Sequence, residues 1–361
     1  MTQASDLADQ SPHAKLARPT VYYVLPGLSV GGVETALGKS FNQLLDDVDL
    51  RVATLDRTTP NLQGIPSRRL DFLLLREIFA SRSTSILLTS LWRAHLLGLL
   101  LCPFGVNWVA FFHNAFRAGH PLDRMVCYLA ARFASHCLFD SKQTKQDFET
   151  LVGKPLGSIV PFLIRPPKEA VASRAFAPTP RPIDIIYVGR LVPIKRLDLC
   201  ASLVEAVVAR SPQAKFSFIG QGPDAVVLNQ LARRFPNNVD VLGMLSNHEA
   251  RSAMSKSKFI VCLSDFEGMA MALIEGIQEG CVPIVRLSGE IPNYVDNDCG
   301  VICAEPFSPS EIASELAILL SDHRKLAMLS ERAQSNIRQY PDYASTLSSE
   351  LHQFAKRISA K

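Results

Sequence analysis

Phe259-Ile260-Val261-Cys262-Leu263-Ser264-Asp265-Phe266-Glu267-Gly268-Met269-Ala270-Met271-Ala272-Leu273-Ile274-Glu275 reads as one strand-loop-helix unit. Its first five residues are uninterrupted apolar, which is how a strand covered on both faces looks. Ser264-Asp265-Phe266 leads out of that strand, and from Ala270 onward Leu273, Ile274 and Ile277 recur at helical spacing. Glu267 therefore falls in the loop and Glu275 on the second helical turn. Helical side chains lean toward their own N-terminus, so Glu275 is predicted to reach back toward the crevice that Glu267 borders. Open α/β sheets bind ligands at the carboxyl ends of their strands. Two carboxylates placed there suit a polyhydroxylated ligand, because each accepts hydrogen bonds from hydroxyl pairs.

The same alternation extends in both directions. Strands are predicted at Val21–Leu25, Arg51–Leu55, Ile86–Thr89, Val106–Phe112 and His136–Phe139, then at Ile183–Val188, Lys215–Ile219, Val239–Leu242 and Val282–Val285. Helix-length spacers between strands imply βαβ units and parallel sheets with helices on both faces. Pro166, Pro167, Pro178, Pro180 and Pro182 make residues 166–182 a semi-rigid linker between the halves. The expected architecture is α/β: a lead-in at 1–18, Rossmann-like domains at 19–165 and 183–340 facing each other across a cleft, and a C-terminal helix at 341–361. In that helix Leu347, Leu351, Phe354 and Ile358 form a stripe that must be buried.

The bulk properties narrow the class. At 361 residues the chain exceeds what one core usually fills. A scattered net charge of +4 excludes nucleic acid as the expected partner. Eight cysteines lack any C-x-x-C pairing, which favours reduced structural thiols in a cytoplasmic protein over zinc or a disulfide framework. The polar N-terminus has no apolar core segment of a secretory signal. Residues 94–116 carry no Asp, Glu, Lys or Arg and are long enough to span a bilayer, but Pro103, Gly105 and Asn107 interrupt them. They read as a buried helix over Leu91–Leu101 followed by the strand Val106–Phe112.

Four turns after predicted strands carry chemistry. In the first, Gly31-Gly32 precedes a helix, where bare backbone and a helix N-terminus let a phosphate approach. It departs from G-x-G-x-x-G, and a merely tight turn is an equal reading. In the second, Gly189 is followed by Arg190 and Lys195, a fork and a point charge that together suit a diphosphate, although taken alone they read as a solvated basic loop. Gly220-Gln221-Gly222-Pro223 and Leu287-Ser288-Gly289-Glu290 are the third and fourth. His113 ends the strand Val106–Phe112 and would face the cleft in a parallel sheet, the alternative being a histidine that merely caps a strand end.

Gly31-Gly32-Val33-Glu34, Gly189-Arg190-Leu191 with Lys195, Gly220-Gln221-Gly222-Pro223 and the Glu267/Glu275 pair occur in the order seen in GT-B glycosyltransferases of family 4, which this chain resembles from about Val21 to Asp322. The resemblance implies a GT-B fold and retaining transfer of a sugar from a nucleotide diphosphate donor, UDP- or GDP-linked, with no bound metal or other cofactor. It implies that Glu275 holds the ribose hydroxyls and Glu267 the hydroxyls of the donor sugar. Arg190 and Lys195 would neutralise the diphosphate, and backbone N–H groups around Gly268–Met271 and Gly31-Gly32 would complete the anion site. A histidine at the position of His113 commonly approaches the donor sugar, and the leaving phosphate itself takes the acceptor's proton. Met269-Ala270 departs from the common Phe-Gly, and Val160-Pro161-Phe162-Leu163 lacks the usual Asn-Gly turn.

The implied acceptor is a glycan or a lipid-linked sugar, in polysaccharide, lipopolysaccharide or glycolipid assembly. Arg68, Arg69, Arg76 and Arg82 lie among Leu70, Phe72, Leu73, Ile78 and Phe79. They form either a helix lying on the inner membrane surface or a sheet-covering helix with a solvated arginine face. A sugar-nucleotide epimerase or hydrolase, and a non-catalytic GT-B binding module, are the competing functional readings.

Overall fold

The computed structural model describes residues 18–28, 31–56, 61, 63–113, 120–165 and 181–360. Residues 1–17, Ser29, Val30, Asn114 and the linker prolines Pro166, Pro167, Pro178 and Pro180 lie outside the described residues.

Two parallel sheets form the framework. The first comprises β1 (Thr20–Leu25), β2 (Asp49–Thr54), β3 (Ser67–Arg69), β4 (Ile86–Ser90), β5 (Trp108–Phe112), β6 (His136–Phe139) and β7 (Ser158–Ile159), in the order β3-β2-β1-β4-β5-β6-β7. The second comprises β8 (Ile183–Val188), β9 (Phe216–Ile219), β10 (Val239–Gly243), β11 (Ser257–Cys262), β12 (Val282–Val285) and β13 (Val301–Ile302), in the order β10-β9-β8-β11-β12-β13. Each sheet reverses direction of winding once, between β1 and β4 in the first and between β8 and β11 in the second. Side chains beyond the carboxyl ends of those strands line a ready crevice.

Alternation along the strands sorts the layers. In β1, Val21, Tyr23 and Leu25 join a core with helix α1 (Gly32–Asp47), while Tyr22 and Val24 join one with α2 (Phe72–Ala80), α3 (Trp92–Leu101), α4 (Pro121–Phe133) and α5 (Lys142–Val152). On the second sheet, α6 (Leu197–Arg210), α7 (Ala225–Arg234) and α10 (Pro309–Ser321) cover one face. Helices α8 (Asn247–Ser255) and α9 (Met271–Gln278) cover the other, and α11 (His323–Gln339) contributes to both cores.

The last helix, α12 (Tyr343–Ser359), packs along α1 of the first domain. Leu347, Leu351 and Phe354 are buried there, each worth roughly 1.5–3 kcal/mol of apolar burial. Ser348 Oγ donates to Asp47 at 2.9 Å, and the His136 ring stacks on Phe354. The predicted stripe thus finds its partner in the domain farthest from it in sequence.

Three local readings differ from the pattern. β3 and β7 are short edge strands that no periodicity announced. The helix read as buried over Leu91–Leu101 starts at Trp92, and its outer side chains Leu96 and Leu100 are exposed. No described helix is long and apolar enough to cross a membrane. All eight cysteines are free thiols.

Candidate active site

The carboxyl ends of both sheets meet at a cavity of about 340 Å³. Gly32 and Val33 after β1, His113 after β5, Asp140 after β6 and Phe162 after β7 form the first domain's wall. Gly189, Arg190 and Lys195 after β8 and Ser264 and Glu267 after β11 form the facing wall, with Met269, Ala270 and Met271 leading into α9. The second wall therefore stands at its sheet's switch point, between β8 and β11.

Glu267 is the most constrained side chain in it. Its Oε1 accepts from Lys195 Nζ at 2.5 Å, from Ser264 Oγ at 2.6 Å and from Cys262 Sγ at 3.5 Å. Its backbone is fixed by the fourth turn, where Glu290 N–H donates to the Glu267 carbonyl at 3.1 Å. Gly289 holds φ +59°, and a Cβ there would lie 1.6 Å from that same carbonyl oxygen, so the turn requires glycine. Gly220 serves the second sheet likewise: at φ +146° a Cβ would lie 1.8 Å from the Gly189 carbonyl.

Arg190 is exposed, with no ion pair to any described residue, and its carbonyl is fixed by the Tyr187 hydroxyl at 2.9 Å. Ala270 caps α9 without a side-chain hydrogen bond, leaving the helix's first N–H groups facing the cavity. Gly31 likewise caps α1 with no side-chain bond. A Cβ on Gly32 would meet Met271 Sδ at 3.4 Å, so the Met271 thioether reaches across the cleft to the start of α1.

His113 sits between Phe111 and Phe162, with ring centroids at 4.3 and 4.7 Å, and its Nε2 pairs with Ser90 Oγ at 3.1 Å. Burial holds its imidazole well below the ordinary histidine range, so it is neutral. Its Nδ1 has no hydrogen-bond partner among the described residues. Asp140 is 3% exposed, and burial raises its carboxyl to about 7, with Glu290 pushing the same way and the Thr144 and Ser141 hydroxyls opposing.

The structure brings Gly32, His113, Gly189, Arg190, Lys195, Glu267, Met269, Ala270 and Met271 to one cavity. Gly31, Gly220 and Gly268 support its loops without lining it. Glu275 stands outside it at the α1–α8–α9 junction: Oε1 pairs with Lys39 of the first domain, and Asn247 Nδ2 donates to both oxygens at 3.1 and 3.2 Å. Asp140, Phe162, Tyr187 and Ser264 line the cavity although the sequence reading gave none of them a role in the site. Asp140 was reachable by the rule that found His113, since it directly follows a predicted strand.

Residues 172–336 match the family described as glycosyl transferases group 1. That match falls on the second domain and takes in β8 to β13. Its group 1 segment contains every cationic and carboxylate residue of the facing wall. One of the polypeptides of human phosphatidylinositol N-acetylglucosaminyltransferase is 25% identical over 123 residues, covering 34% of this chain and 25% of that protein. The sulfoquinovosyl transferase of Arabidopsis thaliana is 24% identical over 177 residues, covering 48% and 34% respectively. The chain thus spans only 25–34% of these curated relatives' length. The crystal structure of Anabaena HepE in complex with UDP superimposes with a TM-score of 0.73 at 17% identity, over 95% of this chain and 100% of that one. The fold joining the group 1 domain to its partner is GT-B.

Proposed function

We propose that the protein is a retaining glycosyltransferase that moves a sugar from a nucleotide diphosphate donor to a glycan or lipid-linked acceptor. The observation that carries this reading is the Lys195–Glu267 pair beside the exposed Arg190 guanidinium, opposite neutral His113, in a cavity bordered by two helix N-termini. UDP, bound in the HepE complex, fits the same chemistry.

In this reading Lys195 exchanges Glu267 for the diphosphate when donor binds, and Arg190 closes on the phosphates from the exposed side. Glu267, released from Lys195 but still held by Ser264, accepts a hydroxyl of the donor sugar. Charge growing on the departing nucleotide meets two cations and the α9 N-terminus, so the phosphate leaves while accepting the acceptor's proton. Neutral His113 can offer or accept a hydrogen bond at the sugar without competing for the phosphates. Ribose reaches Glu275 as Lys39 yields its ion pair. No metal enters these steps, because the positive charge comes from side chains.

The exposed side chains of α2, α3 and the turn that follows support peripheral contact with the inner membrane surface, and a cytoplasmic location follows from a nucleotide sugar donor. Phe72, Leu73, Leu100 and Phe104 are 78, 65, 69 and 60% exposed, and Arg76 lies exposed among them.

The test is a titration of UDP, UDP-sugars and GDP-mannose with excess EDTA, followed by product analysis. Labelled sugar reaching an acceptor is expected. Return as an altered nucleotide sugar or as free sugar alone would favour an epimerase or hydrolase, and binding without consumption would favour a non-catalytic module. Glu275→Ala should weaken nucleotide affinity about tenfold, the worth of one hydrogen bond to a charged group; unchanged affinity removes its ribose role.

A further inference from the structure

Asp140 is a buried carboxyl for which the transfer chemistry has no use so far. It follows Phe139 of β6 as His113 follows Phe112 of β5, and Phe112 and Phe139 are register partners. The two side chains therefore start about 4.8 Å apart on adjacent strand ends, both on the cavity wall. The Asp140 backbone is fixed, its N–H donating to the Phe112 carbonyl at 3.2 Å.

Its side chain is not satisfied in the same way. Oδ1 has no hydrogen-bond partner among the described residues although it is buried. The carboxylate across the domain boundary, Glu290, is already engaged: its Oε1 accepts from the Tyr340 hydroxyl at 2.7 Å and its Oε2 from the Lys142 backbone N–H at 2.9 Å. The Thr144 and Ser141 hydroxyls bond the carboxyl, and Ser141 Oγ also donates to Thr144 Oγ1 and caps α5, but neither serves Oδ1. A buried carboxylate oxygen left without a donor costs folding free energy, and such groups persist where a ligand supplies the partner.

We propose that Asp140 is a sugar-hydroxyl anchor on the first domain's side of the cleft, its Oδ1 accepting a hydrogen bond from a hydroxyl of the bound donor sugar or of the acceptor. This rests on the glycosyl-transfer reading. His113 Nδ1, likewise unpartnered among the described residues, stands beside it, so adjacent strand ends present two polar atoms to one polyol. Burial sets the pH response; the titratable and charged groups facing Asp140 are His113 beside it, Glu290 across the boundary, and Arg190, Lys195 and Glu267 on the opposite wall. Of these, Glu290 raises Asp140 and none donates to it. The ionised carboxylate is the better acceptor, so ligand retention strengthens as pH rises through about 7.

The experiment compares wild type with Asp140→Asn, an isosteric change, at about pH 6 and pH 8. Affinities for UDP, UDP-glucose and UDP-N-acetylglucosamine are measured, then transfer to simple methyl glycosides relative to donor hydrolysis. If the hydroxyl belongs to the donor, the variant binds the nucleotide sugars about tenfold more weakly while UDP binding stays unchanged. If it belongs to the acceptor, donor binding stays unchanged and acceptor KM rises about tenfold. Either way the variant loses the rise in activity near pH 7. A variant with wild-type sugar affinity, acceptor KM and pH profile overturns the anchor. A wild type that binds no nucleotide and consumes no donor overturns the transferase reading itself, and the anchor with it.

Discussion

Lys195 pairs with Glu267, and the proposed chemistry asks it to serve the diphosphate instead. Removing it should cost turnover more than folding, since Glu267 keeps Ser264 and Cys262 as donors. Lys195→Ala is expected to lower kcat roughly 10²–10³-fold, the range for losing one stabiliser of a departing charge; wild-type turnover refutes the diphosphate site. Asp140 yields a prediction independent of substrate. Its folded-state value of about 7 lies above the ordinary 3.8, so folding takes up a proton between those values. The stability tied to protonated Asp140 is full below about pH 4 and is lost as pH rises through about 7. Asp140→Asn should therefore melt several degrees above wild type at about pH 8, the gap closing toward pH 4, as followed by thermal denaturation. Strand-end logic made His113, Arg190 and Glu267 legible in the sequence. The burial of Asp140 was not, because it depends on the domains closing over it and bringing Glu290 from 150 positions away in the sequence. Glu275 illustrates the opposite failure: helical spacing placed it on the correct turn, but its ion pair with Lys39 is made across the domain boundary.

Among the elements, the central strands were legible since each is an apolar run long enough to show its burial. β3, a run of Ser and Arg, and the two-residue β7 are defined by the backbone of their neighbours and leave no side-chain pattern. The outer surface of α2 and α3 was the less decided case. Leu74 and Ile78 of α2 face the sheet, and Phe72, Leu73 and Phe79 face out, with Phe79 edge-on to Phe104 at 6.1 Å and Arg82 over its ring. Sheet covering and an apolar outer face with arginines thus coexist on one short helix. The protein should sediment with phosphatidylglycerol vesicles at low salt and far less with phosphatidylcholine. Phe72→Asp combined with Leu73→Asp should abolish sedimentation without shifting Tm, since neither side chain is buried; retained sedimentation contradicts a membrane role for this face.

At the scale of the molecule, one buried cluster runs through both domains, from Val21 and Leu37 through Leu163 to Ile274 and Leu351. Gln278 Nε2 donates to the Ile164 carbonyl at 2.8 Å and Lys142 N–H to Glu290, so the cleft is framed by polar links behind it. Leu351→Ala should cost about 2–5 kcal/mol, as for other buried leucines. Its effect should fall on the first domain, read as faster amide exchange in β1 and α1 than in β8 and β11. The two-domain layout was visible from the alternation of strands and spacers. The destination of the last helix was not, because a stripe says that a face is buried and not against what.

That destination bears on how the polypeptide matures. The 17 residues of α12 close a face of the first domain that α1 alone leaves uncovered. During synthesis the N-terminal sheet emerges early, yet it must wait with part of its apolar face open until the whole second domain has been translated. The half of the molecule made first is therefore finished last.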